Sequence, residues 1–157
     1  MTERTPLVGI LVGSSSDLPV MQQAAAILER FDIPHEIHVK SAHRNPDEVD
    51  DYVRTAEERG LKVFICGAGM AAHLAGAVAA RTVLPVIGVP IAGKYLDGMD
   101  SLLATVMMPR GVPVATVAVD GAMNAAILAA QIIGVDDEAM RAQLRRFKED
   151  LGEGLKL

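Results

Sequence analysis

The sequence predicts an α/β fold in which a central parallel five-stranded sheet carries helices on both faces. Three observations lead there. Strand-length apolar runs alternate with helix-length segments in the order β-α-β-α-β-α-β-α-β-α-α. The strand runs are apolar on both faces, as in strands buried within a parallel sheet. Three of them end in small polar or glycine residues just before a helix, where the ligands of such sheets bind.

Each element follows from local pattern. Residues 7–12 form a β-branched run that stops at Gly13. Residues 17–31 carry Leu18, Met21, Ala25 and Leu28 at helical spacing, with Pro19 near the start, where its missing N–H costs little. After Ile33-Pro34, residues 35–40 alternate as a second strand. Asn45-Pro46-Asp47 opens a helix to Arg59 that Gly60 ends. Residues 61–66 form a third strand, and 71–83 a helix rich in small residues. Residues 85–89 give a fourth strand, 100–108 a short helix, and 112–119 a fifth strand. Residues 122–133 form an apolar helix and 136–151 an amphipathic one. Crossovers between parallel strands are right-handed. With 157 residues and no repeat or linker, residues 1–157 form one domain.

Composition narrows the function. Half the residues are hydrophobic, so a core can form. Aromatics are 3% with no Trp, too few for a base-stacking surface. The net charge is -5 and basic residues form no run, which argues against nucleic acid as a partner. The single Cys66 allows no internal disulfide and suits a reducing compartment. No signal peptide and no membrane-length apolar run is seen. A cytoplasmic protein without a membrane partner is expected.

Three loops carry the chemistry. Gly13-Ser14-Ser15-Ser16-Asp17 offers a tight turn and three hydroxyls at a helix start, a place that attracts anions. Ser and Asp are also favoured caps, and capping alone explains them equally simply. The loop is neither a P-loop nor a dinucleotide fingerprint. Ser41-Ala42-His43-Arg44 sets a proton carrier beside a permanently charged phosphate ligand. Gly67-Ala68-Gly69 allows close backbone approach, and His73 is explained either as a cap or as a ligand contact. His35 and His38, three apart on a strand, point to opposite faces and make no metal pair. With no HxxxH, CxxC or carboxylate cluster, no metal site is expected. Cys66 reads as a buried small hydrophobe, and Met107-Met108 as packing surface.

Further segments extend the pattern: Ser41 to Pro46, Gly67-Ala68-Gly69-Met70-Ala71-Ala72-His73-Leu74, Leu84 to Pro90, Asp100-Ser101-Leu102-Leu103 and Gly111 to Thr116. In register, from about Leu7 to Ile133, these strongly resemble the class I PurE family, the catalytic subunits of phosphoribosylaminoimidazole carboxylase. That resemblance implies a flavodoxin-like three-layer α/β/α sandwich, a homo-octamer, and no metal or organic cofactor. It implies an N5-carboxyaminoimidazole ribonucleotide (N5-CAIR) mutase of purine biosynthesis, with N5-CAIR synthetase as a functional partner that need not bind stably. The resemblance further implies that the carboxylate moves from N5 to ring carbon C4 through CO2, with His43 in the position of the proton shuttle. Ser14, Ser16, Asp17 and Arg44 match substrate-binding positions, Arg44 and Ser16 for phosphate and Asp17 for ribose. Ser41, Gly69, Ala72, His73 and Leu74 match the loops around base and carboxylate.

The chain departs from the family pattern at Met70, where Gly is common, at Ala75, where Pro is common, and at Met107 and Arg110. Two alternatives stand beside the mutase: a class II enzyme carboxylating aminoimidazole ribonucleotide directly, and a non-catalytic nucleotide-binding module. Arg44 after His43 favours class I, since class II proteins commonly carry Lys there. Taken with the resemblance, part of the apolar surplus is expected to be subunit interface at the third helix and at helix 122–133, and helix 136–151 is expected to pack on neighbouring subunits.

Overall fold

A computed structural model describes residues 4–157. Five strands, β1 (Val8–Val12), β2 (His35–Val39), β3 (Val63–Gly69), β4 (Val86–Ile91) and β5 (Ala115–Thr116), form one sheet. Its order is β2-β1-β3-β4-β5, and every pairing is parallel. The helices are α1 (Leu18–Arg30), α2 (Pro46–Arg54), α3 (Leu74–Ala79), α4 (Met99–Val106), α5 (Ala122–Gly134) and α6 (Glu138–Gly152).

Alternation along the strands sends side chains to two separate cores. Val8, Ile10, Val12, Val63 and Ile65 join α1, α5 and α6 on one face. Leu11, Phe64 and Cys66 meet Val49, Tyr52 and Val53 of α2 and Leu74, Ala75 and Val78 of α3 on the other. Every residue of β1 and β4 is buried, which explains why these runs show no polar alternation.

Four predicted elements differ in length. β3 continues through Ala68 and Gly69, because both still pair with Pro90 and Ile91 of β4. The glycine-rich segment is therefore strand end as much as loop. α2 stops at Arg54, where the Thr55 hydroxyl returns to the Asp51 carbonyl at 3.2 Å and a run of turns follows to Gly60 at φ 93. α3 has six residues, since two tight turns occupy residues 70–73, the Ala72 N–H meeting Met70 O and the His73 N–H meeting Ala71 O. β5 keeps two residues; Pro113 just before it brings no N–H to the ladder.

Much of α5 packs within the chain. Eight of its residues are buried, Ala125, Ala126, Ala129 and Ala130 among them, and they pack within the chain beside α1 and the sheet. The small side chains let two helices of one subunit approach closely. α6 turns Met140 and Phe147 inward, with Phe147 edge-on to Phe31 at 5.3 Å. Exposed apolar side chains gather around α4: Tyr95, Leu96, Met99, Leu103, Val106 and Met107. No helix among the described residues is long and apolar enough to cross a membrane.

Candidate active site

The carboxyl ends of β1, β2, β3 and β4 open onto one cavity of about 590 Å³. Ser14, Ser16, Asp17, Ser41, His43, Arg44, Gly69, His73 and Leu74 all line it. Ala72, expected among them, does not: it is 1% exposed and sits behind the loop. The turn that hands its N–H to Met70 O tucks its methyl inward. Met70, where the chain departs from the family pattern, also lines the cavity, and Ala92, Gly93 and Asp120 line it without having been expected there.

The first loop is held by its own hydroxyls. Ser16 Oγ donates to or accepts from Ser14 Oγ at 3.0 Å, and the Ser16 N–H reaches Ser14 Oγ at 3.4 Å. Asp17 stands at the N-cap of α1 yet makes no capping bond, so its carboxylate is left to the cavity. Burial raises its pKa above the usual carboxylate range; Arg44 opposes that shift and the charge of Asp120 adds to it.

The second loop is braced from within. The Ser41 N–H donates to Asn45 Oδ1 at 2.7 Å, and Ser41 Oγ accepts from the Arg44 N–H at 3.2 Å. Arg44 Nη2 donates to Gly13 O at 2.9 Å, which fixes the guanidinium at the mouth of the serine loop. Its other N–H groups remain available there, beside the start of α1, a setting suited to an anion.

His43 and His73 meet across the cavity. Nε2 of His43 lies 2.8 Å from Nδ1 of His73, with the rings edge-on at 84°. One nitrogen donates and the other accepts, so the pair shares a proton and each ring orients the other. His73 reaches this position from the N-cap of α3, without capping it.

Asp120 shows what the sequence reading passed over. It has φ 57, a backbone region that Asp tolerates better than most residues, and its N–H donates to Pro90 O at 2.8 Å. Its Oδ1 accepts from the Ala92 N–H at 2.9 Å, tying the β4 loop to the turn before α5. The Asp-Gly pair after a strand was the available signal.

Parallel sheet, carboxyl-edge cavity, anion-ready loop and histidine pair define an α/β enzyme acting on a small anionic substrate. The chain belongs to the AIR carboxylase family, whose model matches residues 7–153. It is 56% identical over 151 residues to the N5-carboxyaminoimidazole ribonucleotide mutase of Pyrococcus horikoshii, covering 96% of this chain and 85% of that one. The mutase of Thermotoga maritima is 56% identical over 144 residues, covering 92% and 84%. The crystal structure of Treponema denticola PurE superposes with a TM-score of 0.86 at 29% identity, covering 94% of this chain and 92% of that one. The expected flavodoxin-like α/β fold therefore stands.

Proposed function

We propose that the chain is an N5-carboxyaminoimidazole ribonucleotide mutase, an isomerase of purine biosynthesis that converts N5-CAIR to CAIR. The observation that carries this reading is the 2.8 Å contact between His43 and His73 in the same cavity as Arg44. The relatives at about this similarity bear that name.

The residues divide the work. Arg44 with the hydroxyls of Ser14 and Ser16 takes the phosphate, as a guanidinium and a helix start both favour anions. Asp17 accepts from the ribose hydroxyls. The imidazole then lies toward Ser41, Gly69 and His73, where small residues and main-chain N–H groups leave room for a carboxylate.

In the transfer, the N5–carboxyl bond breaks, releasing CO2 and leaving the electron pair on nitrogen. Carbon C4 attacks the CO2, forming the new C–C bond. The proton displaced from C4 passes to His43, and His43 returns a proton to the nitrogen, so charge and atoms balance. His73 holds the ring of His43 in line.

A homo-octamer in the cytoplasm, supplied by an N5-CAIR synthetase without a stable complex, completes the proposal. The apolar stripe of α4 supports an assembly, since side chains of that size gain about 1.5–3 kcal/mol each on full burial.

The test is a pair of assays on purified protein: N5-CAIR without bicarbonate, and aminoimidazole ribonucleotide (AIR) with it. Rapid turnover of the first is expected. Turnover of the second alone would mean a direct carboxylase, and binding without turnover a nucleotide-binding module.

A further inference from the structure

Met70 is held in a conformation its side chain disfavours, at the rim of the cavity. Its φ is 52, in the left-handed region where a Cβ crowds the backbone. Backbone strain of this kind survives where the surroundings demand it, often beside a functional site. Here the same path of chain has two results. The Met70 carbonyl accepts the Ala72 N–H at 2.8 Å, and the next turn delivers His73 to His43. The Met70 side chain, meanwhile, stays 54% exposed and lines the cavity.

It reaches toward the opposite loop. A Cβ placed on Gly93 would stand 3.6 Å from Met70 Cγ. The thioether chain thus lies beside Gly93 at the cavity rim, near the ends of β3 and β4, where Gly69 and Gly93 carry no side chains of their own. An unbranched Met adapts its shape and presents only apolar surface and a weak acceptor.

A transfer through CO2 needs such a wall. Free CO2 is neutral, and neither Arg44 nor the histidine pair can hold it by charge. It stays beside C4 only if water is kept out and the exit is blocked.

We propose that Met70 closes the cavity between Gly69 and Gly93 and retains CO2 until C4 captures it. This rests on the mutase reading above. Met70 is a shielding residue and takes no part in proton transfer.

The experiment follows N5-CAIR carrying an isotopically labelled carboxyl, in unlabelled bicarbonate, with wild type, Met70→Gly and Met70→Leu. Two quantities are read from initial rates: label retained in CAIR, and AIR released per CAIR formed. Glycine adopts this φ freely, so the Gly variant folds, and its melting temperature verifies that. For Met70→Gly, AIR release per turnover rises about threefold or more and label retention falls, because the pocket admits water. Met70→Leu stays near wild type. Equal partitioning in wild type and Met70→Gly overturns the shielding role and leaves the mutase intact, and so does a Leu variant that leaks like the Gly one. If wild type forms no CAIR from N5-CAIR, the mutase reading fails and this inference with it.

Discussion

His43 Nε2 and His73 Nδ1 are 2.8 Å apart, although thirty residues, the crossover through α2 and the whole of β3 separate them in the chain. The contact exists because β2 and β3 flank β1 and end at the same edge of the sheet. Neither histidine alone distinguishes a proton carrier from a surface residue; the pair does.

Replacing His43 by Asn should lower kcat by about 10²- to 10⁴-fold, the usual worth of a general acid–base, while nucleotide binding survives. His73→Asn should cost less, about tenfold in kcat with KM little changed, since it orients and does not carry the proton. Steady-state kinetics beside calorimetric binding of the nucleotide checks both. Full activity in His43→Asn would remove the catalytic assignment.

Arg44→Ala should raise KM about ten- to a hundredfold, because a hydrogen bond to a charged group is worth about 1.5–3 kcal/mol. Arg44→Lys should recover only part of this, since a single ammonium cannot hold both Gly13 O and a phosphate with a planar fork. An unchanged KM in Arg44→Ala would contradict phosphate binding there.

Asp17→Asn should stabilise the fold at neutral pH. Burial raises the Asp17 pKa, with Asp120 adding and Arg44 opposing, so the native carboxyl holds its proton more firmly than the unfolded one. Ionisation therefore costs stability, a cost that appears as pH rises through the ordinary carboxylate range and is complete above the raised pKa. Urea midpoints should differ most at pH 7 to 8 and converge toward pH 4. The substitution should meanwhile weaken substrate binding, a trade common at active sites.

Glu36 gives the opposite sign. Burial opposes its ionisation, but the bonds from Arg59 at 2.6 Å and Tyr52 at 2.7 Å, with the charges of Arg59 and His38, outweigh it and lower the pKa. This carboxylate stabilises the fold above its unfolded pKa, and that contribution is lost as pH falls through the folded value. Glu36→Gln should cost about 1 kcal/mol at neutral pH, discounted for its partial exposure, and progressively less in acid. Equal losses at pH 7 and pH 4 would refute the ionic origin.

Leu103→Lys, on the exposed side of α4, should shift the mass measured by light scattering toward smaller species. A lysine there meets water freely in a lone subunit but is buried in an interface built on that stripe. An unchanged mass would move the interface elsewhere.

The sequence by itself determined the layered α/β class, the order of elements and the three loops at the sheet edge. These depend on local pattern: apolar runs of strand length, helical spacing, and turn residues between them. Element ends were less legible, because α3 is cut short by hydrogen bonds of the 70–73 turns and β3 is prolonged by pairing with β4. Nothing local marks either. The same holds for α5, whose alanines carry no local sign that α1 packs against them. Ala72 behind the cavity and Asp120 within it follow the same rule. Which way a loop residue faces depends on partners far along the chain. The tertiary structure alone brought His73 to His43, Arg44 to Gly13 and Met70 to Gly93, because a parallel sheet collects distant strand ends at one edge and only packing sets their distances.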